Sequence, residues 1–99
     1  MSLHRPANWL VTYDITCPRR LTHVFKTLKK HGVPVQYSVF HLQVSAAKIG
    51  GLMVQLSHLI DSRVDDVRAY RIPESAWKVT LGHAILPDDI LLDSSPEQP

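Results

Sequence analysis

Asp14 is the one carboxylate between Met1 and Ser57, and it ends an apolar run, Trp9-Leu10-Val11-Thr12-Tyr13. Ile15-Thr16-Cys17-Pro18 follow, then Arg19-Arg20. The run reads as a strand and Pro18 as the opening of a helix, so the acid is expected to face positive charge and a helix N-terminus, where anions such as phosphate are favoured. A lone carboxylate in that setting suits a divalent cation held against a phosphodiester. Magnesium takes oxygen ligands and keeps several waters, so one or two carboxylates suffice, and two Asp14 side chains meeting across a two-fold axis would make such a site. The competing reading is a turn carboxylate that accepts hydrogen bonds from backbone amides ahead of the helix.

Arg19 and Arg20 are placed to grip phosphate, and Lys26, Lys29 and Lys30 extend a basic stripe that would follow a duplex backbone. A solvated helix face is the plain alternative. No base-reading motif is visible, so contacts are expected at phosphates of DNA or RNA without sequence preference. The histidines (4, 23, 31, 41, 58 and 83) lack metal-ligand spacing, which argues against zinc. His41 reads as a strand residue rather than a general acid or base. Cys17, near a helix N-terminus, has a setting that lowers a thiol pKa, but no acyl-transfer constellation surrounds it. Ser38 and Phe40 alternate on one strand face and, from spacing alone, read as packing residues.

The charge is divided along the chain. Residues 1–60 hold seven Lys/Arg against Asp14 alone, whereas residues 61–99 hold four against eight acids. A basic half points to a polyanion and an acidic tail to a basic protein surface or to solubility. A single cysteine allows no internal disulfide and fits a reducing compartment. No apolar h-region precedes Pro6, and no apolar run has the length of a membrane span. The expectation is a soluble, cytoplasmic protein with no membrane association.

The elements that must position these residues follow from periodicity. A strand covers about Trp9 to Asp14, apolar on both faces. A helix covers Pro18 to His31, with Thr16 as N-cap, Gly32 at the C-terminal cap and Leu21, Val24, Phe25 and Leu28 inward. Val33 to Val44 is long enough for two short strands with an unplaced break. Ser45 caps a second helix reaching about Ile60, in which Gly50-Gly51 suggests close packing against a sheet. Asp65 to Ile72 makes a fourth strand and Trp77 to Leu81 a short fifth. The order β-α-β-β-α-β plus a strand predicts an α+β, ferredoxin-like domain over residues 1–82, with an acidic C-terminal tail over 83–99. That fold leaves one sheet face bare, and a second copy of the chain is the simplest cover, hence a homodimer.

Four stretches resemble the small CRISPR-associated endoribonuclease family, the second of the two core adaptation proteins. They are Leu10-Val11-Thr12-Tyr13-Asp14-Ile15, Arg19-Arg20 with Leu28-Lys29-Lys30-His31-Gly32, Val35-Gln36-Tyr37-Ser38-Val39-Phe40, and Asp66-Val67-Arg68-Ala69-Tyr70-Arg71-Ile72. The resemblance implies a ferredoxin-like homodimer whose fifth strand lies along the partner's sheet edge. It implies metal binding and catalysis at Asp14 with Mg2+, and supporting roles near the dimer cleft for Arg19 or Arg20, Ser38 and Phe40. It also implies magnesium-dependent cleavage of RNA or duplex DNA, and service as the non-integrase partner of the CRISPR integrase in spacer acquisition. The chain departs from the family where Thr16-Cys17-Pro18 replaces acidic residues and where His41 stands in place of an acid. Both changes remove possible second metal ligands. A toxin-like ribonuclease of the same fold is the alternative.

Overall fold

The computed structural model describes residues 3–75. The expected fifth strand at Trp77–Leu81, the domain boundary at 82 and the acidic tail lie outside the described residues. Within them the order is β1 (Pro6–Asp14), α1 (Pro18–Lys29), β2 (Gly32–Gln36), β3 (Val39–Ser45), α2 (Ala46–Ser57) and β4 (Asp66–Ile72). The strands form one antiparallel sheet in the order β2-β3-β1-β4. Each helix connects strands that are not neighbours, which is the split βαβ arrangement expected from the sequence.

The core lies between the helices and one sheet face. Val11, Tyr13, Phe40 and Leu42 from the central strands meet Val24 and Leu28 of α1 and Ile49, Leu52 and Leu56 of α2. Phe40 is fully buried, with the Phe25 ring edge-on at 5.3 Å and the Tyr13 ring at 6.1 Å. Burying a side chain of this size contributes roughly 1.5–3 kcal/mol. The alternate residues of the strands, Leu10, Thr12, Val39, His41, Tyr70 and Ile72, belong to the opposite face by register. Among the described residues no helix lies over that face, and Tyr70 remains 49% exposed in the single chain.

Several local expectations are corrected. The N-cap of α1 is Cys17 rather than Thr16, and the Cys17 side chain makes no capping bond. Thr16 is engaged elsewhere: its amide and hydroxyl both donate to Asp65. The C-cap is Lys30 in a right-handed conformation, so Gly32 is not a cap but the first residue of β2. A Cβ on Gly32 would run into the His41 carbonyl oxygen and lie 2.7 Å from the Leu42 side chain. Close approach of β2 to β3 therefore demands glycine there. Gly50 and Gly51 show the reverse, since an added Cβ meets nothing within 4 Å at either, and no packing accounts for them. The helix α2 is capped by Ser45 as expected, with the Lys48 amide donating to Ser45 Oγ at 3.1 Å, but it ends at Ser57 rather than Ile60. The break between β2 and β3 falls at Tyr37-Ser38, where Ser38 adopts φ 65°. Ser38 is thus a turn residue and does not alternate with Phe40 on a strand. Pro34 is tolerated because β2 is an edge strand.

Candidate functional site

The site is built where β1 and β4 end together. Asp14 and Asp66 are register partners at these ends. Asp14 is exposed, and among the described residues neither an amide nor a cation is bonded to its carboxylate. It is neither a turn carboxylate nor the partner of the α1 cations. Asp66 accepts from Arg68 Nε at 2.8 Å, a pair with both side chains more than half exposed and so of little energetic weight.

The neighbour of Asp66 in sequence, Asp65, is a buried carboxylate whose role is not evident from sequence patterning. The Asp65 side chain is fully buried. It accepts from Arg20 Nε at 2.7 Å and Arg20 Nη2 at 3.3 Å, from the Thr16 amide at 3.0 Å and hydroxyl at 3.2 Å, and from the Asp61 amide at 2.9 Å. Arg20 Nη2 also donates to Thr16 Oγ1 at 3.1 Å. The Arg20 guanidinium, followed by the Asp61 and Thr16 amides, holds the Asp65 carboxyl far below the usual carboxylate range, against the opposing effect of burial. One acid thereby ties together the turn after Asp14, the first turn of α1, and the α2–β4 loop. A buried charge needs this many partners, and a sequence shows neither its burial nor its partners. The one available hint was the doubled acid, Asp65-Asp66, at the start of a strand.

Arg20 therefore differs from the other cations of the basic stripe in being ion-paired to a buried acid. Arg19, Lys26, Lys29 and Lys30 are exposed. The spacing i, i+7, i+11 puts Arg19, Lys26 and Lys30 on one line of α1, about 16 Å long. Lys29 lies beside that line with its Nζ 5.8 Å from the Phe25 ring centroid. The helix holds no acid in its first turn, and its sequence holds none elsewhere. At its start, the amides of Arg20 and Arg19 favour the Cys17 thiolate and lower the thiol pKa.

Among the described residues, neither of the two residues expected to support the site is hydrogen-bonded to the Asp14 side chain. Phe40 points into the core, where its work is packing. Ser38 acts through its backbone, whose carbonyl oxygen accepts from the Tyr13 amide at 3.2 Å, next to Asp14 in sequence. His41 lies on the bare sheet face, with Nε2 2.9 Å from Asn8 Oδ1, and burial lowers its pKa.

Among the described residues no group of three or more His, Cys, Asp or Glu is gathered for a metal. An exposed Asp14 whose oxygens are unengaged among the described residues fits a magnesium ion that retains most of its waters, and does not fit a dehydrated, fully protein-ligated ion. Among the described residues no helix is long and apolar enough to cross a membrane.

Comparison with known proteins places this arrangement. The chain is 36% identical over 84 residues to CRISPR-associated endoribonuclease Cas2 1 of Nitrosomonas europaea, covering 85% of this chain and 80% of that protein. The crystal structure of Streptococcus pyogenes Cas2 at pH 6.5 superposes with a TM-score of 0.66 at 32% identity, covering 81% of this chain and 99% of that one. A chain of a partial Cas6-RT-Cas1–Cas2 complex shares the fold, with a TM-score of 0.66 at 23% identity over 87% of this chain and 99% of that one. The family model for CRISPR associated protein Cas2 matches residues 7–80, a span that takes in β1 with Asp14, the α1 stripe and the buried Asp65, and the chain belongs to that family.

Proposed function

We propose that this chain is a homodimeric, nucleic-acid-binding scaffold of CRISPR adaptation that partners the integrase, with magnesium-dependent endonuclease activity at Asp14 as a secondary property. The observation that carries the binding role is the exposed line of Arg19, Lys26 and Lys30 on a helix without acids. Such a line neutralises phosphates of duplex DNA or RNA and reads no bases. Doubling by a two-fold axis gives a charge pattern long enough to follow a duplex.

The dimer reading rests on the sheet face over which no helix lies among the described residues. Leu10, Val39, His41 and Ile72 are half-buried there and Tyr70 is half-exposed, a mixture that a second identical face would cover. Bringing two such faces together would also bring two Asp14 side chains to one cleft. Bound there, magnesium would supply charge neutralisation at a phosphate and an activated water. This chain's contribution would be the Asp14 carboxylate as ligand and Arg19 as phosphate anchor. The departure at Thr16-Cys17-Pro18, where two of the three positions now serve the Asp65 network and the helix cap, favours the scaffold role over the nuclease role. The toxin-like ribonuclease is not favoured, because the family match is to CRISPR-associated proteins.

The test is binding of duplex DNA over a range of salt concentrations, with light scattering on the same samples. The expected result is a dimer whose affinity falls with salt at a slope of about −0.9 per neutralised phosphate. Arg19→Ala with Lys26→Ala should flatten that slope. A stable monomer, or a salt-insensitive affinity, overturns the reading.

A further inference from the structure

The Arg20 guanidinium is bound on its Nε and Nη2 edge to a carboxylate with no solvent exposure. It lies about 100° around α1 from Arg19, off the line of exposed cations. A phosphate that took the Nε and Nη2 edge of Arg20 would have to displace Asp65, and winning would leave a buried carboxylate without its cation. Such a vacancy is far more costly than an exposed contact is favourable. The other donors to Asp65 are equally informative. The Thr16 amide and hydroxyl come from the turn between Asp14 and α1, and the Asp61 amide comes from the loop before β4. These contacts fix the direction in which α1 leaves β1, and so where Arg19 stands relative to Asp14.

We infer that Arg20 and Asp65 are a positioning pair for the nucleic-acid site: the pair holds the β1–α1 turn so that Arg19 leads the phosphate-binding line beside Asp14, and Arg20 itself touches no phosphate. The inference rests on the nucleic-acid reading above and assigns to Arg20 a role different from that of its neighbour Arg19.

Five substitutions, Thr16→Val standing in if Asp65→Asn does not fold, separate positioning from phosphate contact, each read as duplex DNA affinity across salt concentrations. Arg20→Ala should weaken binding on the order of tenfold at every salt concentration while leaving the slope of log affinity against log salt unchanged. Arg19→Ala should reduce that slope by about 0.9 for each phosphate it no longer neutralises. Arg20→Lys keeps the charge but lacks the planar fork that spans both Asp65 oxygens, so it should not restore binding. Asp65→Asn removes a negative charge, which by electrostatics alone would tighten binding; as a positioning residue it should weaken it. Should Asp65→Asn fail to fold, Thr16→Val keeps both charges and removes only the hydroxyl, and should lower affinity with an unchanged slope. A slope that flattens in Arg20→Ala, rescue by lysine, tighter binding by Asp65→Asn, or parental binding by Thr16→Val each overturns the positioning role alone. A parent protein that binds no duplex at low salt overturns the nucleic-acid reading on which the inference rests.

Discussion

Asp14 and Asp66 stand opposite one another at the ends of adjacent strands, and among the described residues only Asp66 has a cation, Arg68, paired with it. Like charges directly opposite in a sheet are unfavourable, so this end of the sheet carries an electrostatic cost in folding. The divalent cation proposed at Asp14 would offset that repulsion.

Replacing Asp14 by Asn should therefore raise the stability of the metal-free protein slightly, by about 0.5 kcal/mol. It should also abolish any rise in melting temperature caused by magnesium, which follows from binding to the folded state alone. Thermal unfolding of both proteins with and without magnesium measures this. Equal magnesium stabilisation of parent and Asp14→Asn would place the ion elsewhere.

Acid should weaken the protein through Asp65. Its carboxyl is held well below the ordinary range by Arg20 and two amides, so folding is favoured when it is ionised. That contribution is fully present above the unfolded carboxylate value of about 3.9 and is lost as pH falls below it toward the depressed folded value. Thermal unfolding from neutral to strongly acid pH should show Asp65→Asn less stable than the parent near neutrality, with the gap narrowing as pH falls. A gap independent of pH would mean that the carboxylate charge is not what holds the turn.

Three glycines divide into two kinds. Gly32→Ala forces a methyl group against the His41 carbonyl and should destabilise by about 1–3 kcal/mol. Gly50→Ala and Gly51→Ala place theirs in open space and should stabilise α2 by up to about 1 kcal/mol each. Urea denaturation of the three variants gives the signs directly.

Phe40 should behave as a core residue. Truncation to Ala should cost about 3–5 kcal/mol, measured by urea denaturation, and any loss of nucleic-acid binding should track the unfolded fraction. Phe40→Leu should retain fold and binding. Selective loss of binding by a fully folded Phe40→Leu would return this residue to the site.

The sequence by itself determined the order of elements, the ferredoxin-like sheet, the two helix stripes, the Ser45 cap and the position of Asp14 at a strand end. These are local properties: apolar period, cap chemistry and turn residues act within a few positions of one another, and each is written in contiguous sequence. The basic line of α1 was legible for the same reason, since Arg19, Lys26 and Lys30 are related by helical spacing alone. Tertiary structure alone decided which cations are free. Arg20 and Asp65 are 45 residues apart, and nothing in either neighbourhood shows that the acid is buried or that the arginine is committed to it. The same holds for Gly32, whose need for a bare Cα comes from the β3 backbone across the sheet, and for Phe40, whose strand face was settled by the turn at Ser38 and its φ of 65°. Burial and pairing are set by what the fold brings from elsewhere in the chain.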